Sequence, residues 1–304
     1  MFELSTNVAS PQQLRRGDFS AYDALYLGEF SCLSYPNNFC AHPEFLAEAV
    51  AQVYELGKKA YLRLFAVPSN HDLPTVRKVI ETALALPFDG FEVHNLGLLQ
   101  MLKEMGNTKP IHLGVFGNLY TDATARVVKD YGVTRVYPNP ELSLDEAIYI
   151  RDNTPIDVLI PVHGKIPLVV AETCFIHENS GGLPGEDCKF KCSQEHWLTR
   201  SSGDWSLKDT GCMTLSGADL CMLEHVDRLA AAKLNAFYVQ SHGESPEYIA
   251  KVGRIYRDAF TRAFAGEAEG DVAPLLEELS GLAKMGLCNG YYFGDAGRRY
   301  VGRT

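Results

Sequence analysis

Cys32 stands alone near the start of the chain, while Cys174, Cys188 and Cys192 lie together far downstream. The trio falls in a stretch rich in Gly, Asp, Glu and Ser, residues 171–192, with no hydrophobic periodicity of its own. Thiolates gathered in an irregular loop, in a chain without a secretion signal, are metal or cluster ligands more often than disulfide partners. Three ligands from one loop and a fourth from a distant one would close a four-cysteine site, which holds either an iron–sulfur cluster or zinc. Cys188-x3-Cys192 has zinc-ligand spacing, but Cys32 and Cys174 make no second pair. Clusters tolerate irregular spacing, so the pattern leans toward iron–sulfur without deciding it. The alternative, a set of small buried hydrophobes, fits poorly with such polar surroundings. Of the other thiols, Cys40 and Cys288 read as spares and Cys221 as core on an apolar helical face. Cys212, in Asp-Thr-Gly-Cys-Met, is the best substitute ligand.

Around these thiols the chain is ordinary in bulk. It has 304 residues, 46% hydrophobic and 22% charged, with a formal charge of -10. That balance argues against a broad basic surface for nucleic-acid phosphates. No apolar run approaches the roughly 20 residues of a spanning helix, and the first residues lack a signal-peptide pattern. A cytoplasmic protein is expected. Neither G-x-S-x-G nor H-E-x-x-H occurs, so serine-hydrolase and zinc-protease motifs are absent.

The elements that must position the thiols alternate. Strand-type runs are read at Phe2–Leu4, Ala24–Leu27, Ala60–Ala66, Gly90–Val93, Ile111–Val115, Arg135–Tyr137, Ile156–Val162 and Ala236–Gln240. Amphipathic stretches separate them, and a capping box is read at Ser143 with Glu146. A helix is read over Asp219–Leu234. Such alternation predicts parallel strands with right-handed crossovers, and eight units predict a (β/α)8 TIM-like barrel, if a distorted one. One domain is expected over 1–304. The barrel would take 1–162 and 218–264, a Cys-rich insertion after the seventh strand 163–217, and a C-terminal segment 265–304.

In such a barrel, functional groups sit where strands end. Glu29 and Cys32 follow the second strand, His94 and Asn95 the fourth, Asn118 the fifth and Glu141 the sixth. His163 follows the seventh strand, and His242 and Glu244 the eighth. Glu29, Asn95, Asn118, Glu141 and His242 are therefore the candidate substrate-positioning residues, and the insertion could fold over that mouth to bring its thiolates to Cys32.

These residues carry a resemblance. Tyr26-Leu-Gly-Glu-x2-Cys32, Pro-Asn-Pro-Glu141-Leu-Ser, His163-Gly-x2-Pro-Leu, Cys174-Phe, Leu-Pro-x-Glu-Asp-Cys188-x3-Cys192, Thr-Leu-Ser-Gly217 and Cys288-Asn-Gly-Tyr span nearly the whole chain. Together they resemble the peptidase U32 family, most closely its short branch, the UbiV-type factor of oxygen-independent ubiquinone biosynthesis. The resemblance implies that Cys32, Cys174, Cys188 and Cys192 ligate one [4Fe-4S] cluster. It implies a heterodimer with a second, longer U32-type protein, and hydroxylation of a quinone precursor with oxygen from a donor such as prephenate. Other members of the family hydroxylate RNA bases, and the family's label keeps a peptidase-like protein with a zinc site as a further alternative.

Overall fold

The computed structural model describes residues 1–182, 188–267, 270–294 and 297–302. The Leu-Pro-x-Glu-Asp part of the cysteine motif, residues 183–187, lies outside them. The chain folds as a mixed α/β structure built on one large sheet. Its first half alternates strands and helices: β1 (Glu3–Val8), α1 (Pro11–Arg16), β2 (Ala24–Leu27), α2 (Leu46–Glu55), β3 (Lys59–Arg63), α3 (Leu73–Leu84), β4 (Gly90–Val93), α4 (Leu96–Glu104) and β5 (Ile111–Leu113). The series continues with α5 (Asp122–Lys129), β6 (Val133–Val136), α6 (Leu144–Asn153) and β7 (Asp157–Val158). β1 to β7 lie parallel in chain order. Most of their residues are buried, as expected when helices cover one face of a parallel sheet and side chains fill the other.

A single residue, Leu159, separates β7 from the long β8 (Ile160–Val170). β7 pairs with β6 through Arg135↔Asp157 and Val136↔Val158. β8 starts beside β12 (Ala236–Val239) through Phe237↔Ile160, and β12 pairs in turn with β1 through Glu3↔Ala236. One stretch of chain thus touches both flanks of the parallel array. α9 (Pro246–Ala265) covers β12, with Phe260 stacked on Phe237 at 3.9 Å between ring centroids.

The region expected to be an irregular insertion carries four strand segments of the same sheet. β8 continues to Val170 and pairs antiparallel with β11 (Met213–Cys221), from His163↔Cys221 to Val170↔Met213. β10 (Ser206–Asp209) and β9 (His196–Thr199) extend this antiparallel ribbon outward, and β13 (Leu287–Cys288) joins β11. The helix read from Asp219 begins at Val226 as α8 (Val226–Ala231). Asp219 and Leu220 are claimed instead by ladders to β8 and β13, a tertiary pairing that outweighs local helical periodicity. Cys221 is core as expected, though it closes a strand.

The capping box is present. Ser143 Oγ accepts from Glu146 N at 3.2 Å, and the Glu146 carboxylate accepts from Ser143 N at 2.7 Å. Ser143→Ala should lower stability by about 1 kcal/mol, read as a lower urea midpoint with unchanged slope. Among the described residues no helix is long and apolar enough to cross a membrane.

Candidate functional site: a thiol cluster beside a buried ion pair

Cys32 is set by the turn that leaves β2. Gly28 adopts φ +127, and a Cβ there would stand 2.4 Å from the Cys40 sulfur, so only glycine lets the chain turn so closely over that thiol. Asn38, fully buried, then ties the loop together. Its amide oxygen accepts from Glu29 N at 2.8 Å and Cys40 N at 2.9 Å, and its amide nitrogen donates to Glu29 O at 2.8 Å and Cys32 O at 2.9 Å. The sequence reading did not single out Asn38. An asparagine six residues after Cys32 carries no motif of its own, and only the folded loop shows its role.

The late trio meets Cys32 through the ribbon. Cys174 stands at the N-cap of α7 (Phe175–Asn179), its sulfur accepting from His177 N at 3.4 Å. The β10–β11 turn brings Gly211 and Cys212 against it. A Cβ on Gly211 would lie 2.6 Å from the Cys174 sulfur and 3.9 Å from Cys192 Cβ, so this glycine is a cradle for the thiols. Tyr35 meets Phe190 edge-to-face at 5.3 Å and joins the Cys32 loop to the loop of Cys188 and Cys192.

The sulfurs also act on one another's ionisation. A hydrogen bond from the Cys212 thiol holds Cys32 below the ordinary thiol value, against burial and the Glu29 charge. The same contact pushes Cys212 far upward. Burial raises Cys174, helped by the charges of Cys188 and Cys32. Cys192 is pushed up to about 12 by burial and then by Cys32, Cys188 and Cys174. None of the eight cysteines is paired in a disulfide. Among the described residues, no three His, Cys, Asp or Glu side chains converge on one point as ligands of a single ion.

Next to this cluster lies a buried acid–base pair. Glu29, 2 % exposed, holds His242 Nδ1 at 2.5 Å and accepts from Ser31 N at 3.0 Å and Ser31 Oγ at 2.6 Å. The loop of His242 is anchored by Asn7, whose amide oxygen accepts from Ser241 N at 2.9 Å and from the Tyr238 hydroxyl at 2.9 Å. Lys208 of β10 binds Glu244 at 3.1 Å and so links the ribbon to the same loop. Burial alone would raise the Glu29 carboxyl, but His242 and Ser31 outweigh it and hold it at about 2. Glu92 is likewise held at about 2, its burial outweighed by Arg63 and His94. Both lie below the ordinary carboxylate value, so the stability they contribute is complete above pH of about 4.5 and is lost as pH falls toward about 2. Urea midpoints measured down that range should fall steeply, and Glu29→Gln should flatten the fall.

The other candidates separate. Asn118 and Glu141 line a cavity of about 670 Å3 with Phe116, Trp205, Met285 and Tyr291. Asn95 instead caps α4, accepting from Gly97 N at 2.8 Å. His94 is buried and stacked on Phe30 at 4.3 Å, and His163 is fully buried. The Phe30 ring also packs against Phe116 at 5.8 Å. Phe30, Met213 and Leu215 form one apolar cluster, with Phe116 packed on it. Phe30 comes from the loop of Cys32, Met213 follows Cys212, and Phe116 also lines the large cavity.

Comparison with known proteins places the chain among relatives. The profile described as peptidase family U32 matches residues 12–301. An uncharacterized protease of Methanocaldococcus jannaschii is 26% identical over 93% of this chain and 70% of its own length. The tRNA hydroxylation protein P of Escherichia coli is 25% identical over 95% of this chain and 74% of its own length. The solved structure of a U32 peptidase covers 81% of this chain and 95% of that one, with a TM-score of 0.48 and 14% identity.

Proposed function

Since this chain belongs to peptidase family U32, we propose that it is an iron–sulfur protein that supports hydroxylation of a planar ring without O2. The observation that carries the reading is the meeting of Cys32 with thiols some 140 or more positions away, all set by dedicated turns and loops. A donor set made only of thiols suits [4Fe-4S] ligation by Cys32, Cys174, Cys188 and Cys192, with Cys212 beside them. When bound, the cluster would supply electron exchange or oxygen transfer. The chain's own residues would do the rest: Phe30, Phe116 and Met213 pack an apolar wall beside the thiols, and the Glu29–His242 pair holds a proton near Cys32. Asn118 and Glu141 orient a ring in the large cavity.

We also infer that the sheet closes as a (β/α)8 barrel, because β7 and β8 together bridge β6 and β12. Such closure puts the loops after the strands at one mouth. Phe116, Trp205 and Tyr291 in the cavity lining suit an aromatic ring, and the short-branch motifs make that ring a quinone precursor, with an oxygen donor such as prephenate. A base of tRNA is the second reading, favoured by the name of the Escherichia coli relative. The formal charge of -10 weighs against it. Leu168, Trp205, Met285 and Tyr291 are exposed around the cavity, and Leu168 continues into exposed Val169. That apolar rim is where a longer U32-type partner would dock in a cytoplasmic heterodimer.

Deleting the gene in its anaerobically grown host and comparing metabolites tests the choice. Accumulation of an unhydroxylated quinone precursor, with tRNA nucleosides unchanged, supports the first reading. Loss of a hydroxylated tRNA nucleoside alone would establish the second.

A further inference from the structure

The segment after the Cys-Asn-Gly-Tyr run, residues 297–302, is tied down so that it delivers a cation to the large cavity. Asn289, 1% exposed, holds it from the inside. Its backbone N donates to Arg299 O at 2.9 Å, its amide oxygen accepts from Val301 N, and its amide nitrogen donates to Cys221 O at 2.7 Å. His225 Nε2 fixes the far end by donating to Val301 O at 2.8 Å. At the near end Gly297 lies against the Tyr291 ring, where a Cβ would stand 2.7 Å from a ring carbon. Between these anchors, Arg298 lines the cavity.

The charges around the cavity decide what this guanidinium can meet. Arg298 is the one cation among the described lining residues. Lys165, Lys208 and Lys284, each next in sequence to a lining residue, are paired with Asp219, Glu244 and Glu195. Of the two carboxylates in the lining, Asp204 is held by Arg200 at 3.2 Å. The other, Glu141, accepts from the Tyr120 hydroxyl at 2.7 Å. Among the described residues no carboxylate pairs with Arg298. A guanidinium presents a planar fork that matches a carboxylate. Phe116, Trp205 and Tyr291 give the same cavity rings to pack on another ring. A carboxylate brings one charge for one cation, whereas a phosphate dianion would set its second charge against Glu141.

We propose that the large cavity takes a ring that carries a carboxylate, and that Arg298 selects this ligand by pairing with the carboxylate. Phe116, Trp205 and Tyr291 pack on the ring. This selection rests on the cavity being the substrate site, and it is independent of the metal that the thiols hold.

Benzoate and benzamide have nearly the same shape and differ in charge, so together they isolate the pairing. With the full chain labelled with nitrogen-15 at tryptophan, each titration should shift the indole signal of Trp205, assigned by its loss in Trp205→Phe. Benzoate should bind about fivefold more tightly than benzamide at low salt, the upper range for a partly exposed ion pair. Arg298 is exposed, so its replacement should not disturb the fold. Arg298→Gln should abolish the preference and leave benzamide binding unchanged, and Arg298→Lys should restore part of it. Equal binding of the two rings to the wild-type chain, or a preference that survives in Arg298→Gln, would overturn the role of Arg298 while leaving the cavity as a ring site. Binding of neither ring would overturn the cavity reading and this selection with it.

Discussion

Cys32→Ala should strip the anaerobically prepared chain of bound iron as completely as Cys192→Ala, although Cys32 and Cys192 come from opposite halves of the fold. The Cys32 loop is pinned by Asn38 and joined to the trio's loop through Tyr35 and Phe190. Its thiol acts on Cys174 and Cys192 and is itself held below the ordinary thiol value, which favours the thiolate a metal needs. In the proposed four-thiolate cluster, losing one thiolate leaves an iron without its protein ligand. Cys221→Ala should leave iron nearly unchanged, because Cys221 is buried at the end of β11 beside Tyr256. Cys212→Ala should retain most of the iron. Iron and sulfide analysis of these variants checks the assignment. Full iron in Cys32→Ala together with loss in Cys212→Ala would exchange the two residues' roles.

Glu92→Ala should destabilise the fold by about 3–5 kcal/mol, the usual cost of stranding a buried charge. The Arg63 guanidinium is paired with Glu92, and their side chains are only 3% and 2% exposed. Arg63 also lies over the Phe30 ring at 4.6 Å, an attraction too weak to replace a carboxylate. Replacing both charges, with Arg63→Met and Glu92→Met together, should recover much of the loss, because an apolar pair leaves no uncompensated charge. Urea unfolding of the single and double variants reads this directly. A single variant no less stable than the double one would contradict the pairing.

The alternation of strands and helices was legible because each βα unit carries its own periodicity, and most strand positions agree within a few residues. The second half was harder to read. Residues 163–170 and 213–221 pair across about fifty positions, and neither segment announces its partner locally. Asp219 to Cys221 looked helical for the same reason. Of the candidate site, residue type and spacing pointed to the four thiols proposed as ligands, whereas Asn38 and the Arg63–Glu92 pair carried no such signal. A charged residue inside an apolar strand such as Lys59–Arg63 hints at an interior partner, but one sequence does not identify it. Asn95 was misleading because a polar residue after a strand serves equally well as a helix cap.

The most direct test is metal and sulfide analysis of the wild-type chain purified without oxygen. The account predicts a brown protein with a broad band near ~400 nm, and iron and acid-labile sulfide at about four per chain. A colourless protein of intact fold with zinc on its thiols would contradict it.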